Sequence, residues 1–188
     1  MGPYYRDGGV GQESKPLLRV IGWGVDIVAV IALAFFAVLM LGTKLVVSGR
    51  SMEPLLSSGD VVLLDKLWYN FSGPKRMDVV AFAAPEDEEK IYIKRIVGLP
   101  GERIRIEDGA LYVNGVLTHF LPDGERIKTA GLAESEIELE SDEYFVLGDN
   151  TDTSEDSRFS NVGNVKRDQI RGRVWIQISP FERFGLVK

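Results

Sequence analysis

The pattern of apolar and polar positions changes character once along the chain. From Ile21 to Gly42 the sequence reads IGWGVDIVAVIALAFFAVLMLG, 22 residues whose one charge is Asp26, with 16 consecutive uncharged positions from Ile27 onward. A helix of that length reaches about 33 Å at 1.5 Å per residue, close to the hydrocarbon thickness of a bilayer. Asp26 lies near one end, beside Trp23, where a carboxylate can reach the headgroup region. The run ends in LGTKLVV, which has no Ala-x-Ala pattern, so the segment reads as an uncleaved anchor and not as a removed leader. Beyond Val46 the spacing becomes that of strands. VVLLDKLWY (61–69), DVVAFAAP (78–85), KIYIKRIVGL (90–99), ERIRIEDGALYVNGVL (102–117), EYFVLGD (143–149) and GRVWIQIS (172–179) are short, rich in β-branched and aromatic residues, and bounded by Gly, Pro or Asp.

These patterns predict a tail over 1–20, a transmembrane helix over 21–45 and a β-rich domain over 46–188. The fold class expected is mainly β, a folded antiparallel or barrel-like sheet system behind one N-terminal helix. Asp108-Gly109 and Asn114-Gly115 favour positive φ and predict two tight hairpin turns, hence a small meander. Residues 122–142 are polar with scattered apolar positions and read as a long excursion from the sheet. The Gly-rich, polar first twenty residues read as disordered.

Charge and composition narrow the function. Of 22 basic and 28 acidic residues, five and three fall within 1–50, leaving 17 against 25 for the body. That acidic body repels phosphate backbones, so no nucleic-acid partner is expected. There is no cysteine, which removes disulfide and thiolate chemistry. The single histidine, His119, sits in the apolar stretch LTHFLP and reads as a packed or half-exposed side chain. Basic residues flank the run on both sides, with a slight excess before it that favours a cytoplasmic N-terminus.

Three segments interrupt the strands with polar residues: SGRSMEP (48–54), YIKRIVGLPGE (92–102) and LGDNTDTSEDSR (147–158). The third invites a calcium loop, yet starting at Asn150 or Asp152 neither register has Gly at position 6 and Glu at position 12. An irregular metal site stays open on the residues alone. A serine can be activated by lysine, provided the lysine is a neutral amine. At an ordinary pKa near 10.4 only about one molecule in a few thousand is neutral at pH 7, so burial has to lower it. Lys94, among Tyr92, Ile93, Ile96 and Val97, has apolar neighbours that suit this.

Together the three segments resemble the boxes of the bacterial type I signal peptidases, membrane-bound endopeptidases that remove signal peptides from exported proteins. The S-M-x-P box is Ser51-Met52-Glu53-Pro54. The K-R-x-V-G-x-P-G box is Lys94, Arg95, Val97, Gly98, Pro100 and Gly101. The G-D-N-x-x-x-S-x-D-S-R box is Gly148, Asp149, Asn150, Ser154, Asp156, Ser157 and Arg158. RMDVVAF (76–82) resembles a further family segment, with Met77 where glycine is usual.

The resemblance implies Ser51 as nucleophile and Lys94 as general base, with Ser154 hydrogen-bonding the lysine nitrogen. Asp149 is expected to pair with Arg95, and Asp156 with Arg158. The resemblance implies no metal and no cofactor. Many relatives take the second oxyanion donor from a serine two positions before the nucleophile. Gly49 stands there in this chain, which leaves a backbone N–H, the Ser48 hydroxyl or a water for that role. Val47, Met52, Leu56, Tyr92 and Ile93 are expected to line two shallow pockets for small residues at −1 and −3. The implied partners are preproteins carrying signal peptides and the lipid bilayer, the chain acting as a monomer in the cell membrane with its β domain outside the cytoplasm. The alternative is a membrane-tethered β binding domain without catalysis, which would need neither Ser51 nor Lys94. A self-cleaving repressor would want a basic DNA-binding domain in place of the helix, and a histidine-type relative would carry histidine at position 94.

Overall fold

The computed structural model describes residues 16–187 apart from 67, 86, 123 and 124; the side chains at 16–19, 35, 37–41, 70 and 71 also lie outside the description. The expected tail over 1–15 falls outside it as well. The chain divides into two compact units, Met1–Leu41 and Gly42–Lys188.

The first unit contains helix α1, Pro16–Leu41, 26 residues long. It opens on a proline, whose φ suits the first turn of a helix and whose missing N–H has no partner to lose there. The expected helix over 21–45 is corrected at both ends. The helix begins five residues earlier, and β1 (Thr43–Val46) takes the residues after Gly42 because they pair in register with β2 (Val61–Asp65), Val46 opposite Val61. Large apolar side chains along α1, among them Val25, Val28, Ile31, Leu33 and Phe36, are exposed. Among the described residues no helix is long and apolar enough to cross a membrane.

The second unit is built on antiparallel strands: after β2 come β3 (Val79–Ala84), β4 (Asp87–Gly98), β5 (Arg103–Glu107), β6 (Ala110–Val113), β7 (Val116–Thr118), β8 (Ile137–Glu138), β9 (Glu143–Leu147), β10 (Val165–Lys166), β11 (Ile170–Ser179) and β12 (Gly185–Leu186). An eight-stranded sheet runs β1-β2-β11-β3-β4-β9-β10, with β12 added to β11, and a four-stranded sheet runs β7-β6-β5-β8. The architecture is thus two antiparallel sheets. Tight turns join β5 to β6 and β6 to β7 as expected: Asp108, Gly109, Asn114 and Gly115 all have positive φ.

Strand alternation divides the core among three apolar clusters. Val79 and Ala81 of β3 enter a first cluster with Met52, Leu56, Val62 and Ile93, while Val80 and Phe82 enter a third with Ile96 and Val146. On β9, Phe145 and Leu147 face a second cluster with Ile104 and Leu111, while Tyr144 and Val146 face the third. Two expectations change. The strand expected over 61–69 stops at Asp65, whose carboxylate accepts the Trp68 N–H at 2.9 Å as the chain turns into the short helix α2 (Trp68–Phe71). The polar segment 122–142 is tied to the body, since Ile127, Ala133 and Leu139 are buried in the second cluster and β8 pairs with β5.

Candidate active site

Lys94 lies on a strand covered on both sides. From Ile93 to Gly98 every residue of β4 is buried, because its two faces meet different apolar clusters. The Lys94 side chain is only 2% exposed. Its Nζ lies 2.8 Å from Ser51 Oγ and 5.2 Å from the centre of the Tyr92 ring. Burial lowers the amine from its ordinary 10.5 to about 8; Asp156 and Glu155 nearby pull it back up, and Arg158 and Lys90 oppose them. The sign follows from desolvation, which penalises the ammonium and leaves the neutral amine untouched. At 2.8 Å an ammonium donates to Oγ, and a neutral amine can instead accept the hydroxyl proton.

Ser51 reaches this position on an irregular loop between β1 and β2. The loop is closed at its base by Val47 N–H to Asp60 O at 2.8 Å and Gly59 N–H to Val47 O at 2.9 Å. Met52 and Leu56 anchor it in the first cluster, and the Leu56 N–H donates to Met52 O at 2.8 Å, which makes residues 52–56 a compact turn. The Ser51 carbonyl accepts the Asn150 N–H at 3.0 Å, joining the serine loop to the acidic loop.

The acidic loop is organised by its arginines. Arg95 Nε and Nη2 donate to the two oxygens of Asp149, both at 2.7 Å, and Nη1 donates to Met77 O at 2.9 Å. Arg158 is fully buried, its Nε donating to Asp156 Oδ1 at 2.8 Å and its Nη2 to Oδ2 at 2.9 Å. Its remaining N–H groups reach Thr129 O at 3.0 Å and Thr151 O at 2.8 Å, so the arginine also ties the 122–142 segment to the site. Asp156 Oδ2 accepts the Gly148 N–H at 3.1 Å. At Gly148 a Cβ would collide with Ser154 Oγ and the Ser51 carbonyl, so glycine is what lets the two loops approach.

Both expected ion pairs are present. The expected bond from Ser154 to the lysine is not: Ser154 Oγ is buried and has no hydrogen-bond partner among the described residues. Four of the five expected pocket residues, Val47, Met52, Leu56 and Ile93, are buried in the first cluster, and Tyr92 is half-buried. The four form an apolar floor beneath the serine loop, Met52 and Leu56 from the loop itself and Ile93 from β4, whereas Tyr92 packs against the third cluster. Gly49 is exposed at φ 88°, a left-handed backbone that favours glycine over serine. Sequence reasoning missed Glu155, which accepts the Tyr92 hydroxyl at 3.3 Å and bridges β4 to the acidic loop, and it assigned nothing to Asn150 beyond its place in a motif. Among the described residues no cluster of side chains could hold a metal ion.

The eight-stranded antiparallel sheet thus places a buried lysine amine 2.8 Å from a serine hydroxyl on the loop between two of its strands. The chain matches the family described as "Signal peptidase, peptidase S26" over residues 20–178. It is 31% identical to "Probable signal peptidase I-2" of Synechocystis sp., covering 94% of this chain and 81% of that one. It is 35% identical to "Signal peptidase I" of Bacillus caldolyticus, covering 87% and 91%. The crystal structure of a signal peptidase I from Enterococcus faecalis is 32% identical and covers 54% of this chain and 96% of that one at a TM-score of 0.43. The chain belongs to the S26 signal peptidase family, and it is a peptidase.

Proposed function

We propose that this peptidase cleaves signal peptides from exported preproteins after small residues at −1 and −3, with Ser51 as nucleophile and Lys94 as general base. The observation that carries the proposal is the 2.8 Å approach of Lys94 Nζ to Ser51 Oγ, with the amine buried and lowered to about 8. A neutral amine at that distance takes the hydroxyl proton as Oγ attacks the scissile carbonyl. The resulting ammonium returns the proton to the departing amine, and the neutral lysine then activates the water that releases the acyl enzyme. The Ser51 backbone N–H is one oxyanion donor, and a backbone N–H, the Ser48 hydroxyl or a water supplies the second. Arg95–Asp149 and Arg158–Asp156 hold the acidic loop that abuts both reacting groups. A non-catalytic tether, the alternative, gives no reason to bury an amine beside a hydroxyl, where desolvation costs stability.

The proposal includes a membrane anchor. The support is the sequence run from Ile21 to Gly42, which as a helix would reach about 33 Å, together with exposed apolar side chains such as Val25, Val28 and Ile31. Ser51 follows Gly42 by nine positions, which suits a bond that emerges just beyond the substrate's own apolar segment. The N-terminus is then cytoplasmic and the β domain outside, acting as a monomer on preproteins at the bilayer.

The test is purified full-length protein in detergent with a preprotein carrying Ala-x-Ala, the products weighed by mass spectrometry. Cleavage after the second alanine, abolished in Ser51→Ala, is expected. Cleavage elsewhere, or undiminished cleavage by Ser51→Ala, would overturn the assignment.

A further inference from the structure

The turn that follows Ser51 is held at both ends, and only one of the two residues that hold it belongs to the motifs. At its start, the Ser51 carbonyl accepts the Asn150 N–H. At its far end the carbonyls of Pro54 and Leu55 point onward, as the last carbonyls of any helical turn do, and need donors from elsewhere. Both receive them from one side chain near the C-terminus. Arg183 Nη2 donates to Pro54 O at 2.8 Å and to Leu55 O at 2.7 Å. Its Nη1 donates to Ser57 Oγ at 2.9 Å and to Asp60 Oδ2 at 3.2 Å. Asp60 is buried, and the same carboxylate oxygen accepts the Ser57 N–H and Gln177 Nε2, each at 2.8 Å, so the guanidinium is locked to the sheet through β11.

We infer that Arg183 is a positioning residue for Ser51, a clamp that fixes the far end of the serine turn and thereby the reach of Oγ to Lys94. The inference rests on Ser51 being the nucleophile. Arg183 lies beyond residues 20–178, the span that matches the family. The geometry requires arginine in particular, since a planar fork serves two carbonyls with one nitrogen and a hydroxyl and carboxylate with the other, whereas an ammonium is a single point charge. Without the guanidinium, Pro54 O and Leu55 O lose their donors while the bonds from Asn150 N–H to Ser51 O and from Ser57 N–H to Asp60 Oδ2 remain on either side, so the segment between them can shift, and displacements near 1 Å at a reacting atom lower turnover by about a hundredfold.

The experiment uses full-length protein in detergent. Wild type and Ser51→Ala come first: cleavage by one and none by the other secures the nucleophile independently of the clamp. Arg183→Ala and Arg183→Lys are then compared for kcat, for KM and for the fraction of molecules that form an acyl enzyme in a single-turnover burst. The clamp predicts that Arg183→Ala lowers kcat per active molecule by about tenfold to a hundredfold, with KM within about twofold of wild type and Arg183→Lys in between. A loss found only in the active fraction, with kcat per active molecule unchanged, would mean that Arg183 merely stabilises the fold and would overturn the inference. Unchanged kcat in a folded Arg183→Ala would do the same. Should Arg183→Ala not fold, Arg183→Lys carries the test alone, and wild-type kcat in that variant refutes the clamp.

Discussion

The two halves of the site are held by different kinds of force. Lys94 sits in the buried second half of a twelve-residue strand whose backbone pairs with β3, Val80 opposite Lys94, and whose two faces from Ile93 to Gly98 meet separate apolar clusters. Ser51 sits on a loop with no strand partner, held by two apolar anchors and by hydrogen bonds to its carbonyls. A strand position is determined redundantly by many pairings and contacts, whereas a loop position depends on a few named bonds. The lysine half should therefore tolerate changes around it better than the serine half. The lysine half carries a different burden, an amine stripped of water.

The largest effects should come from the reacting atoms. Ser51→Ala should abolish preprotein cleavage, and Lys94→Ala should lower it by about 10²- to 10⁴-fold, in proteins that still melt cooperatively. Normal turnover by a folded variant of either kind would dissolve the proposed pair. The halves separate when stability is read alongside activity. An amine lowered from 10.5 to about 8 destabilises the folded state by about 3 kcal/mol below pH 8, and the penalty fades as pH rises toward 10.5, because there the unfolded chain also loses its proton. Lys94→Met, inactive, should thus melt higher than wild type at pH 7, with the gap narrowing by pH 10. A lower melting temperature for Lys94→Met at pH 7 would count against a desolvated amine.

Next comes the buried pair behind the acidic loop. Asp156→Ala strands the Arg158 charge in a fully buried position, and a loss of about 3 to 5 kcal/mol is expected in urea unfolding. The pH profile follows: kcat/KM should rise about tenfold per pH unit below 8 and level off above it, since the productive amine is neutral. A rate flat from pH 6 to 10 would remove lysine as the base. The smallest effect is expected at Met77, which holds φ 71°, a left-handed backbone that suits glycine, while its backbone bonds Ile96 and Arg95. Met77→Gly relieves the left-handed strain and should stabilise by about 1 kcal/mol with activity unchanged, as thermal denaturation would register.

Much of the site could be read before folding was considered. The strand bearing Lys94 and Arg95, both hairpin turns of the small sheet and both arginine–carboxylate pairs follow from local residue pattern or from motif. Arg183 could not be read this way: it stands more than a hundred positions from the loop it grips, in a stretch without periodicity, and only the pairing of β11 with β2 brings the two together. Thr129 O, Thr151 O and the burial of Ile127, Ala133 and Leu139 were equally hidden, because a segment that looks polar as a whole can bury every few residues against another sheet. Ser154 shows the opposite error, since a motif implied a bond that the folded chain does not make.

By itself, the order of residues determined the elements whose signals are local: an apolar run long enough for a helix, alternating strands, Asp-Gly and Asn-Gly turns, and the identity of the serine and lysine. Tertiary structure alone decided that the amine is dry, that its neighbour is a hydroxyl at 2.8 Å, and that an arginine near the C-terminus grips the loop that carries the hydroxyl. Local propensity acts over a few bonds of the chain. Desolvation and hydrogen-bond geometry depend on what lies nearby in space, and spacing along the chain does not encode that.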